Sequence, residues 1–222
     1  MNFEIRREIA LPATPEEVWR AIATREGQAG WFMTFDEAPD DAAGGITEDP
    51  PHRLEQRFGT QAIEYVVEAA SGGTSVLRFV HSGIREADWG DEWDTMTAFG
   101  WDLYFFTLAE YLRHFPGRPA VYVEAEAPPS PDVAAHPPTS QVWRNVLAAL
   151  DDPQEGDRVE TPVGPGVVDR RVEGYLGIRT DTALVRFHER SLLGMCLAVG
   201  HHETGDATGI KDTWTTWLKA MA

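Results

Sequence analysis

His81 is the titratable side chain in this sequence whose surroundings best suit chemistry. The strand predicted over residues 74–82 places it on the same face as Leu77 and Phe79, so its imidazole is expected to point inward. A neutral imidazole in an apolar interior can orient a polar group of a bound molecule or act as a general base. The competing interpretation is structural, a hydrogen-bonded histidine at the end of a strand.

Other reactive side chains in the sequence have structural interpretations. Cys196 lies in an apolar run over residues 192–199, which favours a buried, inert thiol. His201, His202 and Glu203 are adjacent, and neighbouring residues of a strand point to opposite faces, so the two histidines do not readily share one metal ion. The sequence contains no GxSxG, HExxH, CxxC or P-loop motif. We therefore expect no catalytic metal and no cofactor, and we assign no catalytic residue.

Aromatic residues supply the candidate binding site. Trp89 lies in an acidic run over residues 88–94 that enters the longest predicted helix; its carboxylates suit a helix N-terminus, and the alternative is that Trp89 forms a mobile lid over a cavity. The helix carries further large rings that are core residues unless space remains beneath them. The predicted lining of a ligand cavity is Trp31, Phe32, His81, Trp89, Trp101, Tyr104 and Phe105.

The elements that position these residues follow from hydrophobic spacing and end signals. Alternation predicts a half-buried strand over residues 3–11, and Thr14, Pro15 and Glu17 predict a capped helix directly after it. Residues 36–51 are read as a long loop with one short strand. The remaining predictions for this half are strands over 52–59, 62–70 and 74–82 and a helix over 93–115.

The second half repeats this order of elements. It is predicted to contain a strand over 120–127, a helix over 139–150, strands over 158–163, 167–172, 176–179, 183–189 and 196–202, and a final helix over 209–221. The triplet Val142-Trp143-Arg144 echoes Val18-Trp19-Arg20. We expect two related domains in tandem, residues 1–117 and a shortened second copy over 118–222. The alternative is one domain with a helical and β extension.

Composition limits the partners and the compartment. The chain has 222 residues, with 36 acidic against 19 basic side chains, a net charge of −17. That charge repels phosphate, so nucleic acid and anionic membrane surfaces are excluded as expected partners. No stretch approaches the roughly 20 apolar residues of a membrane span. The N-terminus lacks the apolar region of a signal peptide, and a single cysteine allows no internal disulfide, so we expect a cytoplasmic protein.

The N-terminal half resembles the SRPBCC (START-like, pollen-allergen-like) superfamily, and within it the activator of heat-shock protein 90 ATPase homologue family. The resemblance covers residues 3–115 and is carried by the helix start at 13–19, Gly30-Trp31-Phe32, His81-Ser82-Gly83 and Gly100-Trp101. It implies an α+β helix-grip fold, in which a curved antiparallel sheet wraps around a long C-terminal helix with a cavity between them. The second half lacks the Trp-Phe and His-Ser-Gly signatures.

Three functions are compatible with this resemblance. The first is binding of a small apolar or amphipathic ligand in the N-terminal cavity, the second is a polyketide-cyclase-like enzyme using His81, and the third is interaction with a chaperone as a heat-shock protein 90 ATPase activator does. Fold alone does not choose among them. A polar cluster around His81 would favour the enzyme, and a plain apolar pocket would favour the binding protein.

Overall fold

A computed structural model describes residues 2–34, 45–84, 93–131, 133–137 and 139–222 of the chain. The chain divides into two compact units, Met1–Pro119 and Ala120–Ala222. Each unit has its own antiparallel sheet and its own helices. The segment containing Trp89 lies outside the described residues.

In its described residues the first unit contains a five-stranded sheet and three α-helices. Its strands are β1 (Asn2–Leu11), β2 (Ile46–Asp49), β3 (Arg53–Phe58), β4 (Gln61–Ala69) and β5 (Ser75–Ile84). Its helices are α1 (Pro15–Ala23), α2 (Arg25–Gln28) and α3 (Trp93–His114). The strand order is β1-β5-β4-β3-β2, so the first strand of the unit pairs with the last.

The start of α1 forms where the sequence predicted it. The Thr14 side chain accepts a hydrogen bond from the backbone N–H of Glu17 at 3.4 Å, and the Glu17 carboxylate accepts one from the backbone N–H of Thr14 at 2.9 Å. Pro15 occupies the first turn, where its missing N–H costs nothing. This capping box fixes the point at which the chain leaves β1 and turns into the helix.

Helix α3 packs against the inner face of the sheet. Phe79 of β5 is fully buried, and its ring lies 4.4 Å from that of Trp101 and 4.8 Å from that of Phe105, both on α3. Gly30 allows the Tyr111 ring of the same helix to approach, since a Cβ at position 30 would lie 2.5 Å from that ring. The predicted helix-grip arrangement of sheet and C-terminal helix is therefore confirmed.

The part of the second unit that the structure describes contains a six-stranded sheet and two α-helices. Its strands are β6 (Val121–Glu126), β7 (Arg158–Thr161), β8 (Gly164–Val172), β9 (Tyr175–Arg179), β10 (Ala183–His188) and β11 (Ala198–Glu203). Its helices are α4 (Gln141–Ala149) and α5 (Ile210–Met221). The strands predicted over 158–163 and 167–172 meet at a turn over residues 162–163, because Gly164-Pro165-Gly166 already belongs to β8.

The two units share one topology. The strand order of the second sheet is β6-β11-β10-β9-β8-β7, so again the first strand pairs with the last and the others follow as a meander. A helix follows the first strand and another ends the unit, as in the first unit. Residues 120–222 thus form their own sheet and helices and do not extend the first sheet, which agrees with the predicted tandem.

A buried ion pair lies within the second sheet. Arg186 is 1% exposed, and its two terminal nitrogens reach the two carboxylate oxygens of Asp169 at 2.9 and 3.0 Å. The pair crosses over Gly177, where a Cβ would collide with the Asp169 carboxylate. Paired charges with this bidentate geometry can be buried, whereas removal of one partner would leave the other uncompensated.

The packing of Gly30 against Tyr111 gives the first prediction. Gly30→Ala should lower the free energy of unfolding by about 1–3 kcal/mol, because the new methyl group overlaps a buried ring. Gly100→Ala is the matched control: its Cβ would meet nothing within 4 Å, and alanine favours the α3 helix by about 0.5–1 kcal/mol. Urea unfolding of the two variants measures the change in the free energy of unfolding, which should be opposite in sign. Equal changes would contradict the packing of Gly30 against Tyr111.

Candidate functional site

His81 lies on β5 within a short chain of hydrogen bonds. Its side chain faces the interior and the residue is 6% exposed. The indole N–H of Trp101 donates to His81 Nδ1 at 3.1 Å, and His81 Nε2 lies 2.7 Å from the amide oxygen of Gln61. These contacts join the start of β4, the end of β5 and helix α3.

The direction of these hydrogen bonds follows from the chemistry of the groups. An indole nitrogen is only a donor, so His81 Nδ1 must accept and carries no proton. A neutral imidazole then holds its proton on Nε2, which donates to the amide oxygen of Gln61. Burial lowers the pKa of His81 to about 4, so the ring is neutral at pH 7. The hydrogen bonds therefore run from Trp101 through His81 to Gln61.

Gly83 makes room for the last member of this chain. Gln61 pairs with Gly83 across β4 and β5, next to the pair Ile63 and His81. A Cβ at position 83 would lie 3.0 Å from Gln61 Cγ and 2.6 Å from the carbonyl oxygen of Thr60. The glycine of the His81-Ser82-Gly83 motif thus allows the glutamine side chain to reach the histidine.

The predicted aromatic residues form one cluster around Trp101. Its ring stacks on Phe32 at 5.6 Å and on Phe105 at 5.6 Å. Phe32 also contacts Tyr104 at 4.5 Å, and Trp31 stacks on Phe105 at 6.1 Å. Trp31, Phe32, His81, Trp101, Tyr104 and Phe105 are therefore brought together, while Trp89 lies outside the described residues.

Sequence reasoning missed two polar residues of this interior, Gln61 and Tyr65. Both lie on the face of β4 that pairs with His81 and Phe79 of β5. Tyr65 is 5% exposed, burial raises the pKa of its hydroxyl, and that hydroxyl makes no hydrogen bond to the parts of the chain that the structure describes. The spacing of Gln61, Ile63 and Tyr65 could have predicted them, because alternate residues of a strand point to the same face of the sheet.

The second unit contains a corresponding histidine and tryptophan. The indole N–H of Trp214 on α5 donates to Nδ1 of His201 on β11 at 3.1 Å, the same pairing of last helix and last strand. His201 Nε2 lies 3.0 Å from a carboxylate oxygen of Glu203, and the other oxygen accepts from the N–H of Gly205 at 2.6 Å. Each of these groups has its partner within the unit, which supports the structural interpretation of His201.

Electrostatics keep the Glu203 carboxyl ionised. Desolvation is the largest influence and raises its pKa, but hydrogen bonds from His201, Thr182 and Gly205 outweigh it and lower the pKa overall. His202 points to the other face, where its ring lies 5.0 Å from that of Tyr122. The two adjacent histidines thus face apart, as expected.

Other features of the described residues bear on function only weakly. A surface pocket of about 330 Å³ lies between the end of α4 and β7, and its lining contains no histidine. Among the described side chains no group of three His, Cys, Asp or Glu is placed to hold a metal ion. Of the helices in the described ranges, none is long and apolar enough to cross a membrane.

The buried neutral His81 predicts a pH dependence. Between pH 6.5 and about 4 the unfolded chain binds a proton at this residue and the folded chain does not, so stability falls as the pH falls through this window. His81→Asn keeps an acceptor for Trp101 but cannot titrate. The wild type should lose about 2–3 kcal/mol more than this variant between pH 7 and pH 4, measured by urea unfolding. Parallel losses would show that His81 is not buried as described.

The contacts of Phe105 predict a large truncation effect. Phe105 is 3% exposed and packs on Trp31, Phe79 and Trp101. Phe105→Ala should lower the free energy of unfolding by about 3–5 kcal/mol, because it removes a core ring and leaves a cavity. A loss below about 2 kcal/mol in thermal or urea unfolding would mean that the ring already borders open space.

Comparison with known proteins finds likenesses of structure. No family model and no curated protein matches the chain. The AHSA1-like protein of Rhizobium etli is 25% identical, with 53% of this chain and 86% of that protein covered and a TM-score of 0.42. DynU16, a putative protein in the dynemicin biosynthetic locus, is 16% identical over 98% of this chain and 96% of its own, with a TM-score of 0.42.

A third structure has two domains by its own description. The di-domain ARO/CYC BexL from the BE-7585A biosynthetic pathway is 15% identical, with 96% of this chain and 88% of that chain covered and a TM-score of 0.42. The chain thus aligns with the AHSA1-like protein over about half of its length and with DynU16 and BexL over nearly all of it.

Proposed function

We propose that the first unit binds a small apolar or amphipathic ligand between its sheet and α3. The observation that carries this proposal is the Tyr65 hydroxyl. It belongs to a buried side chain beside the Phe79 ring, at 5.3 Å, yet it has no partner among the described protein groups. The hydroxyl oxygen itself is not among the fully buried unpaired atoms of the described residues, so a ligand group can reach it. A polar group of a ligand in this interior would satisfy it.

The surrounding residues suit the rest of such a ligand. The inner face of β4 and β5 presents Ile63, Leu77 and Phe79, all buried and apolar, and α3 adds its aromatic rings. Ligand pockets are typically apolar with a few polar groups that fix orientation. Tyr65 and Gln61 supply such groups, and both side chains lie on one strand.

The hydrogen-bond directions support binding over general-base catalysis. A polar cluster does surround His81, the feature that was expected to favour an enzyme of the polyketide-cyclase kind. The lone pair of His81 Nδ1 is engaged by Trp101, however, and Nε2 already carries the proton. His81 has no free lone pair with which to accept a substrate proton unless the bond to Trp101 breaks. We therefore assign His81 an orienting role.

A neutral fluorescent probe tests the proposal directly. N-phenyl-1-naphthylamine should bind the full chain with micromolar affinity, about −8 kcal/mol, and receive excitation energy from the tryptophans. Tyr65→Phe should weaken this binding by about two- to tenfold, the value of one hydrogen bond, and leave the free energy of unfolding unchanged or raised.

Tyr111→Phe provides the matched control, because the Tyr111 hydroxyl already donates to the carbonyl oxygen of Arg118. It should cost about 1 kcal/mol of stability and leave probe affinity unchanged. Absence of probe binding by the wild type would overturn the proposal and make interaction with another protein, such as a chaperone, the better interpretation. Equal effects of both variants on affinity would also contradict it.

A further inference from the structure

We propose that Gln61 is the specificity-determining residue of the ligand site in the first unit, and that it selects apolar ligands carrying a hydrogen-bond acceptor such as a ketone or ether oxygen. This inference rests on the proposed ligand-binding function. It is drawn from the direction of the hydrogen bonds that end at Gln61 and from the surface beside that residue.

The hydrogen-bond chain leaves a donor at its end. Trp101 donates to His81, and His81 donates to the amide oxygen of Gln61, so the orientation of the amide is fixed by its oxygen. The amide nitrogen carries two N–H donors and points away from His81. It donates to no group within the described ranges of the chain, and Gln61 is half-buried, so a ligand can reach it. A ligand group that binds to this amide nitrogen must be a hydrogen-bond acceptor.

An exposed aromatic side chain lies across from this donor. Phe58 pairs with Gln61 across the β3–β4 turn, is 39% exposed, and its ring lies 6.2 Å from that of His81. A ligand with an apolar body and one acceptor oxygen would therefore cover exposed apolar surface while its oxygen meets the amide.

The second unit contains a similar chain of hydrogen bonds, which ends on the strand of its own histidine, β11, and not on a neighbouring strand. There Trp214 donates to His201 and His201 to Glu203, whose carboxylate has no N–H to offer. Its other oxygen is held by the N–H of Gly205 at 2.6 Å. The chain therefore ends differently in the two units: in an amide on the neighbouring strand in the first unit and in a carboxylate on the same strand in the second.

Two probes of the same shape test the role of Gln61. 2-Acetylnaphthalene carries a ketone and 2-ethylnaphthalene does not, and both can be titrated against the full chain by quenching of tryptophan emission. The quantity measured is the ratio of their affinities in each protein, because differences in hydrophobicity of the probes cancel when ratios are compared between variants. Circular dichroism confirms that each variant is folded.

The ratio should change with the group at position 61. Gln61→Leu should reduce the preference for the ketone about fivefold relative to the wild type, since it removes the donor. Gln61→Glu keeps an acceptor for His81 but removes both N–H donors, so it should reduce the ratio at least as far. Glu203→Gln, the matched change in the second unit, should leave the ratio as in the wild type.

Failure of this inference and failure of the proposed function give different results. If both probes bind and the ratio is the same in all four proteins, the site exists but Gln61 does not select its ligand. If Glu203→Gln alters the ratio as strongly as the Gln61 variants, the assignment to the first unit is wrong. If neither probe binds the wild type, the proposed function itself fails.

Discussion

The hydrogen bond from the Trp101 indole to His81 is the interaction on which the first unit depends most. It joins the last strand of the sheet to the helix that the sheet grips, in a buried region where an unpaired donor or acceptor would cost about 1–3 kcal/mol. The bond also fixes the imidazole tautomer and, through it, the orientation of the Gln61 amide. The tautomer of His81 and the orientation of the Gln61 amide thus follow from this contact, while burial keeps the ring neutral.

Glycines provide the space that these polar groups need. Gly83 admits the Gln61 side chain beside His81, and in the second unit Gly177 admits the Asp169–Arg186 ion pair. At both positions the absence of a side chain leaves room for a polar group to lie against the sheet. Strand glycines normally weaken a sheet, so their occurrence here marks places where close approach matters more than local propensity.

The repeated histidine–tryptophan pair is a stronger similarity between the two units than the shared Val-Trp-Arg triplet. Both pairs connect the last strand of a unit to its last helix, and both indoles donate to Nδ1 at 3.1 Å. What differs is the third group, an amide in one unit and a carboxylate in the other. We propose on this basis that the second unit, residues 118–222, is a copy whose polar interior has been closed for stability.

Local patterns in the sequence predict the strands, the helices and the residues of the candidate aromatic site. Alternation and helical spacing are local patterns, and end signals such as Thr14 and Glu17 depend only on neighbouring residues, so they located strands and helices to within a few positions. Six of the seven candidate residues lie in one cluster, because large apolar side chains of one unit are buried together in its interior. The contacts between polar groups depend on the tertiary structure. Gln61 and Trp101 are each 20 residues from His81 in the chain. Strand register and helix packing bring them into contact, and no local sequence pattern records either.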